Sequence, residues 1–370
     1  CTMNHRERFH AVWSYEPVDR MPVYFFGTWR ETRKSWLEED ANAFGGDPYM
    51  TDPVGMDPDW ERGMWNAHGI VQYGAMGDIE PAVLEENEQY IVRRDGIGNV
   101  RQEAKDGGTI PHYLEYGLKP TRESWNKFKA YLDPTKPERW TASWAPIAES
   151  VRRRDRVATV IGGSLYGVPR DWMGVEALSM LMHDDPILFE EIVEHTAEHF
   201  MAIFRPVIDK LDLDFVYFFE DCCFNTGPLF SPKIYRDVLD KYYRRLIRFY
   251  RDAGVPWVLI GSDGNVEQLA PLWLETGIDI IFPIEVGTWR ASVAAYRKRY
   301  GRAMRMFGGL DKHVIPQGPE AIRQLLHELK PTVEDGGYIP IPDHRIPPDC
   351  TLSQFRDYLK VYNEVFNGGR

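Results

Sequence analysis

The chemistry-bearing residues of this chain fall at the ends of apolar runs. DFVYFFE ends on Glu220 with Asp221 after it, PWVLIGSD on Asp263, and IDIIFPIE on Glu285. AMRMFGGLD ends on Asp311 and GYIPIPDH on Asp343-His344. Each run is rich in β-branched and aromatic residues and has the length of a buried strand, so each acid sits where a strand ends. Carboxylates and an imidazole gathered there suit acid–base work or a hard metal ion. Glu220 is the sharpest candidate, because it ends the most apolar run, where a carboxylate has a raised pKa or a cationic partner. His344 lies between Asp343 and Arg345, and a neighbouring carboxylate would fix its tautomer for use as a general acid or metal ligand. The competing reading is that such acids only cap the next helix, as Asp263 before GNVEQLAPLW would.

Other residues near the same ends add recognition chemistry. Trp29, Tyr166, Trp172 and Trp289 can wall an aromatic pocket, or belong to the core. Arg30 and Arg170 can anchor a substrate carboxylate or phosphate, and Arg170 can equally pair with Asp171. Cys222 and Cys223 follow Glu220 as metal ligands or as buried inert thiols. The pairs Gly162-Gly163 and Gly308-Gly309 permit close backbone approach. No G-x-G-x-x-G opens a helix and no P-loop is present, so dinucleotide and nucleotide-triphosphate chemistry lack support.

The elements that must position these residues are eight short strands alternating with amphipathic helices, the signature of a parallel sheet. Besides the five C-terminal runs, the strands are Met21–Trp29, His68–Met76 and Arg156–Ser164. SPKIYRDVLDKYYRRLIRFYRDAG should be a long helix with Ser231 as N-cap, Pro232 in its first turn and Gly254 at its end. Eight such units close a (β/α)₈ TIM barrel, whose active groups sit at the carboxyl ends of the strands. We expect a single domain over 3–366. EQYIVRRDGIGNVRQEA, over 88–104, reads as a β-hairpin inside an insertion of about 77–150 that lies over one mouth of the barrel.

Composition narrows the function classes. Apolar residues make up 43% and charged residues 27% of 370, as in ordinary globular chains. Forty-four basic against 56 acidic residues leave a net charge of −12, which repels nucleic-acid backbones and anionic membranes. Four cysteines without C-x-x-C spacing argue against a disulfide framework. The stretch from Met3 is polar and basic without an apolar signal core, and we expect a cytoplasmic protein.

Taken together, MNHRERFHAVWSYEPVDRMPV, FFEDCCFNTGPLFSPKIYRDVLDKYYRRL, GSDGNVEQLAPLWLETGIDIIFPIEV, FGGLDK and GGYIPIPDHRIPPDCTLSQF resemble blocks of the uroporphyrinogen decarboxylase superfamily. The resemblance covers most of the chain and implies a (β/α)₈ barrel, often dimeric. Decarboxylases of this superfamily carry an R-Q-A-G-R segment for the carboxylates of their tetrapyrrole. Here that stretch is Phe26-Gly27-Thr28-Trp29-Arg30, which keeps one arginine at most and argues against that substrate. The other branch, the cobalamin-dependent methyltransferases, binds zinc through His-x-Cys-Gly-Asn and a later cysteine. The corresponding residues are Gly261-Ser262-Asp263-Gly264-Asn265 and the neighbourhood of Asp343-His344.

The resemblance therefore implies a harder zinc site with Glu220, Asp263, Glu285 and His344 as candidate ligands, and a catalytic set of Glu220, Asp263 and His344. Trp29, Arg30, Tyr166 and Arg170 would bind the substrate. The leading expectation is methyl transfer from a small methylated compound, such as an aryl methyl ether, to cobalamin on a separate corrinoid protein, with the metal as Lewis acid. The alternatives are a metal-free carboxy-lyase acting on a smaller acid, a glycosidase using Glu220 and Glu285, and a binding protein without catalysis. Phe219 stands where many barrel glycosidases have Asn before the acid.

Overall fold

Residues 2–24, 26–45, 55–57, 70–105, 110–141, 145–146, 148–149 and 155–369 are described by a computed structural model. Helix α1 (His5–Trp13) begins in a capping box, in which Asn4 and Glu7 each accept the other's amide N–H through their side chains. It buries Phe9 and Trp13 and is followed by α2 (Arg30–Glu39). Residues 82–115 hold an antiparallel sheet of β1 (Ala82–Glu86), β2 (Tyr90–Arg94), β3 (Val100–Ala104) and β4 (His112–Glu115), in that spatial order. β2 and β3 turn at Asp95, whose carboxylate accepts the amides of Ile97 and Asn99 while Gly98 takes φ +92°.

The C-terminal apolar runs then build a parallel sheet. Its strands are β5 (Thr159–Gly163) and β6 (Phe215–Phe219), then, after a two-residue ribbon of β7 (Cys223–Phe224) and β8 (Gly227–Pro228), β9 (Val258–Gly261), β10 (Ile280–Ile284), β11 (Arg305–Leu310) and β12 (Tyr338–Pro342). The order β12-β11-β10-β9-β6-β5 follows the chain, and every pair is parallel. β5, β9, β10 and β12 are buried at every position, as strands covered on both faces must be. Among the covering helices are α3 (Gly167–Met173), α4 (Pro186–Phe204), α5 (Asp240–Asp252), α6 (Pro319–Asp335) and α7 (Leu352–Asn367). The run from Ser231 is helical as its caps imply, but it passes through a π turn at Tyr235–Leu239 before α5, and Gly254 ends it with φ +87°.

Two of the eight expected strands do not join this ladder among the described residues. Over 21–29, where Phe25 lies outside the described residues, the chain makes one parallel bridge, Thr28 to Ile346. Two of its amides go to side chains, that of Met21 to Asn367 and that of Val23 to Asp57, and Pro22 has none to offer. Of His68–Met76, His68 and Gly69 lie outside the described residues, and Val71 bridges antiparallel to Trp140. There the fully buried Arg139 donates to the carbonyls of Gln72 and Gly74, in place of a neighbouring strand. The ladder observed is therefore six-stranded. No helix of the described residues is long and apolar enough to cross a membrane.

A column of rings runs through the core from α1 to the far end of the sheet. Phe9 stacks on Phe215 and meets Trp13 edge-on, each at 5.6 Å, and Trp13 packs on Phe307 at 5.6 Å. Phe307 meets Phe282 at 5.6 Å, Phe282 stacks on Phe26 at 5.1 Å, and Phe26 stacks on His344 at 4.9 Å. Helix α1 is secured by Arg8, buried against Asp19 at 2.8 and 3.0 Å.

The hydrogen bond from Arg8 holds the Asp19 carboxyl down at about 2, against an ordinary 3.8. A depressed folded pKa stabilises the fold above the unfolded value and loses that contribution as pH falls through the folded one. Urea unfolding midpoints should therefore drop between about pH 4 and pH 2, and Asp19→Asn should be less stable at neutral pH with a shallower acid limb. Equal acid limbs in the two proteins would refute this anchoring role.

Candidate active site

Glu220 follows β6 and its side chain points toward the helices, away from the sheet's inner face. Its carboxylate accepts the amides of Leu165, Tyr166 and Gly167 at 2.7, 2.9 and 2.8 Å, and the hydroxyl of Tyr243 on α5. Burial pushes its pKa up, with Tyr243 and the three amides working against the rise. Gly167 permits this arrangement, since a Cβ there would lie 2.7 Å from both the Glu220 carbonyl oxygen and Ser164 Oγ. Ser164 Oγ accepts the Val168 amide at 2.9 Å, which starts α3.

Two further strand-end acids are used in the same way. Glu285 accepts the Gly264 amide at 2.7 Å and the Thr288 hydroxyl. Asp343 accepts the amides of Val286 and Gly287 at 2.9 and 2.7 Å and that of Lys312 at 3.2 Å, with Lys312 Nζ at 3.4 Å. Asp311 caps the short helix Lys312–Gln317 and pairs with His313 at 2.9 Å.

Asp263, Asp221 and His344 keep polar atoms at the mouth. Asp263 and Asp221 are about one-third exposed, at 35% and 36%, and His344 is 19% exposed. His344 Nε2 lies 3.2 Å from Asp263 Oδ2, and the Asp263 amide donates to Asp221 Oδ1 at 3.3 Å. Gly264, at φ +83°, lets this loop pack on the carbonyls of Cys223 and Phe224, 2.6 and 2.7 Å from where a Cβ would stand. Asp221 is itself left-handed, φ +47°, a conformation disfavoured for a residue with a side chain. Arg170 on α3 holds that peptide in place, donating to the carbonyls of Glu220 and Asp221 at 3.3 and 2.5 Å and pairing with Asp171 at 3.1 Å. Burial, then the Asp263 carboxylate, raise the Asp221 pKa, and Arg170 opposes them. Around His344 stand Phe26 at 4.9 Å and Trp29 at 5.7 Å, and the Arg345 guanidinium lies 5.3 Å over the Trp29 ring.

The remaining sequence candidates separate. Trp29 borders the site, while Arg30 is exposed in the first turn of α2. Tyr166 is fully buried against Phe230 and Trp172 packs on Phe128, so both rings belong to the core. Trp289 is partly buried, 6.4 Å from Tyr296. Cys222 is buried, with its thiol pKa well above the ordinary value through burial, and Cys222, Cys223 and Cys350 are free thiols.

The expected zinc set does not converge. Of Glu220, Asp263, Glu285 and His344, only Asp263 and His344 meet, because the two glutamates have their oxygens on amides and hydroxyls. Among the described residues no three His, Cys, Asp or Glu side chains are grouped as metal ligands. The same hydrogen bonds occupy the Glu220 and Glu285 pair that a glycosidase would use. Asp221, which the sequence places beside Glu220 at a strand end, is given no role of its own there, yet it is the one of the pair that reaches the mouth. The signal was the period-two alternation of β6: Phe218 contacts Tyr243, which puts Glu220 on the helix side, whereas Tyr217 and Phe219 lie together on the inner side with Asp221.

Glu220→Gln tests the structural assignment. An amide offers one acceptor oxygen where the carboxylate serves four donors with two, so N–H groups are left facing an NH₂. The variant should lose about 2–4 kcal/mol in urea unfolding. Wild-type stability in Glu220→Gln would refute the assignment.

Comparison with known proteins agrees with this architecture. The family model for uroporphyrinogen decarboxylase (URO-D) matches residues 150–365. A uroporphyrinogen decarboxylase of Nocardia farcinica (strain IFM 10152) is 27% identical over 197 residues, which are 51% of this chain and 52% of that protein. The chain thus spans about half the length of the curated relative it matches. A methyltransferase from Methanosarcina mazei superposes with a TM-score of 0.56 at 12% identity, over 98% of this chain and 99% of that one, and so shares the fold. The parallel α/β sheet, with its acids at the carboxyl ends and the matched C-terminal blocks, makes this chain a member of the uroporphyrinogen decarboxylase family.

Proposed function

We propose that the chain is a closed (β/α)₈ barrel that moves a methyl group from a small methylated substrate to a corrinoid carried by a separate protein. The observation that carries this reading is the charge of the mouth. Asp221 and Asp263 present carboxylates, and Arg170, 4.0 Å from Asp221, is shared with two carbonyls and Asp171. A substrate rich in carboxylates, as the decarboxylases take, would meet like charge here. A methylated substrate without negative charge would not. The same fold carries a methyltransferase in Methanosarcina mazei.

The corrinoid acceptor would supply a Co(I) nucleophile for the methyl carbon. The chain's own part is to seat the substrate at the mouth beside Trp29 and His344. His344, oriented by Asp263, exchanges a proton with the atom the methyl leaves. Because the four candidate zinc ligands do not converge, no step is assigned to a metal. A carboxy-lyase acting on a small acid is the second reading, favoured by Arg30 and Arg345, two exposed cations beside Trp29.

Purified protein mixed with Co(I) cobalamin and a panel of methylated compounds should consume the Co(I) absorbance. His344→Gln and Asp263→Asn should each lower that rate about 100-fold with unfolding midpoints close to wild type. Release of CO₂ from small carboxylates, with no methylation of cobalamin by any donor, would replace this reading with the lyase.

A further inference from the structure

We infer that Asn99 is a positioning residue of the mouth: through it the antiparallel sheet caps the carboxyl end of α3 and holds Arg170 on the Asp221 peptide. What this does for turnover rests on the methyl-transfer reading. Helix α3 has seven residues, too few to stand alone, and the last carbonyls of any helix lack partners within it. Its amino end is secured by Glu220, which accepts the amides of Leu165, Tyr166 and Gly167, and by Ser164 Oγ. At its carboxyl end the Arg170 carbonyl accepts the Gly174 amide at 2.7 Å. The next two carbonyls are bound from the sheet's side: that of Asp171 accepts Asn99 Nδ2 at 3.4 Å, and that of Trp172 accepts the Leu118 amide at 3.0 Å.

Asn99 is only 5% exposed, and both ends of its amide are used. Oδ1 accepts the Gly117 amide at 2.8 Å, which turns Nδ2 to the Asp171 carbonyl. An N–H demands the oxygen and a carbonyl demands the NH₂, so the two partners fix the orientation. Burying a side-chain amide is costly unless it is bonded, and here its bonds join two separate elements. Tyr116 adds to the contact: its ring fills a notch at Gly174, φ +85°, where a Cβ would lie 2.5 Å from Tyr116 Cε2. Asp171 and Trp172 directly follow Arg170, so fixing their peptides fixes the turn from which Arg170 reaches the carbonyls of Glu220 and Asp221. Asp221, at φ +47°, accepts the Asp263 amide at 3.3 Å, and Asp263 meets His344 at 3.2 Å.

Asn99→Asp tests this in the full chain, since a carboxylate still accepts from Gly117 but opposes the Asp171 carbonyl. Hydrogen exchange read by mass spectrometry should rise about tenfold over 165–174 and 220–223 and stay at the wild-type rate over 338–342. Asn87→Ala is the control, because Asn87 accepts the amides of Gln89 and Tyr90 in another turn of the same sheet. It should speed exchange over 82–94 alone. Arg170→Lys keeps the charge and loses the fork, so it should itself speed exchange over 220–223, and adding Asn99→Asp should then change little there. Unchanged exchange over 165–174 and 220–223 in Asn99→Asp overturns the inference, as does a rise spread evenly over the whole chain. Additive effects of the two substitutions over 220–223 overturn the route through Arg170. In the cobalamin assay Asn99→Asp should lower kcat about tenfold, with Asn87→Ala at the wild-type value, and an unchanged kcat overturns the positioning role. A wild type that methylates no cobalamin fails the methyl-transfer reading alone, and the exchange measurement then decides this inference.

Discussion

Buried carboxylates that accept backbone amides hold the parallel sheet of this protein in register at both ends. Where a parallel ladder stops, the next amides have no strand partner, and a buried N–H without an acceptor is costly. Here an acid from one strand satisfies the amides of the strand before it. At the amino ends, Asp214 before β6 accepts the amide of Ala158, and Asp279 before β10 accepts that of Val258, both at 2.7 Å. At the carboxyl ends Glu220 does so for the loop after β5, Glu285 for the loop after β9, and Asp343 for the loops after β10 and β11. The charge strengthens each bond, and the amides make burial of the charge tolerable.

This constraint decides which acids remain for chemistry. Once Glu220, Glu285 and Asp343 are committed, Asp263 with His344 and Asp221 with Arg170 are what the mouth retains. Two of the committed acids also shape the mouth, because each fixes a loop that carries a side chain exposed there. Glu220 anchors the loop that leads into α3 and Arg170, and Glu285 fixes the turn that presents Asp263. The left-handed Asp221 lies between these two anchored loops, its peptide clamped by Arg170.

The ring column ties the site to the rest of the core. Trp13, Phe307, Phe282, Phe26 and His344 touch in sequence, so the helix that closes one end of the sheet supports the imidazole at the other. Offset and edge-on ring contacts restrict orientation as well as position, which suits a histidine that must meet Asp263 at hydrogen-bond distance. Phe26 and Trp29 both stand against this imidazole, so its surroundings on that side are rings.

The sequence by itself determined the C-terminal alternation of strands and helices, the cap at Ser231, the turn at Asp95 and the placement of acids at strand ends. These are local matters of periodicity and turn chemistry. Family membership was also legible there, in the blocks around Asp263 and His344. What the acids do was decided only by tertiary structure, because a carboxylate after a strand reads the same whether it meets an amide, a metal or a substrate. The Glu220 and Asp221 pair illustrates this: β6 turns one toward Tyr243 and the other toward the mouth. Likewise Met21–Trp29 has the composition of a strand, yet Asn367 and Asp57, distant in sequence, take the amides that a neighbouring strand would have bound. Long-range donors and acceptors of this kind leave no mark in the local pattern.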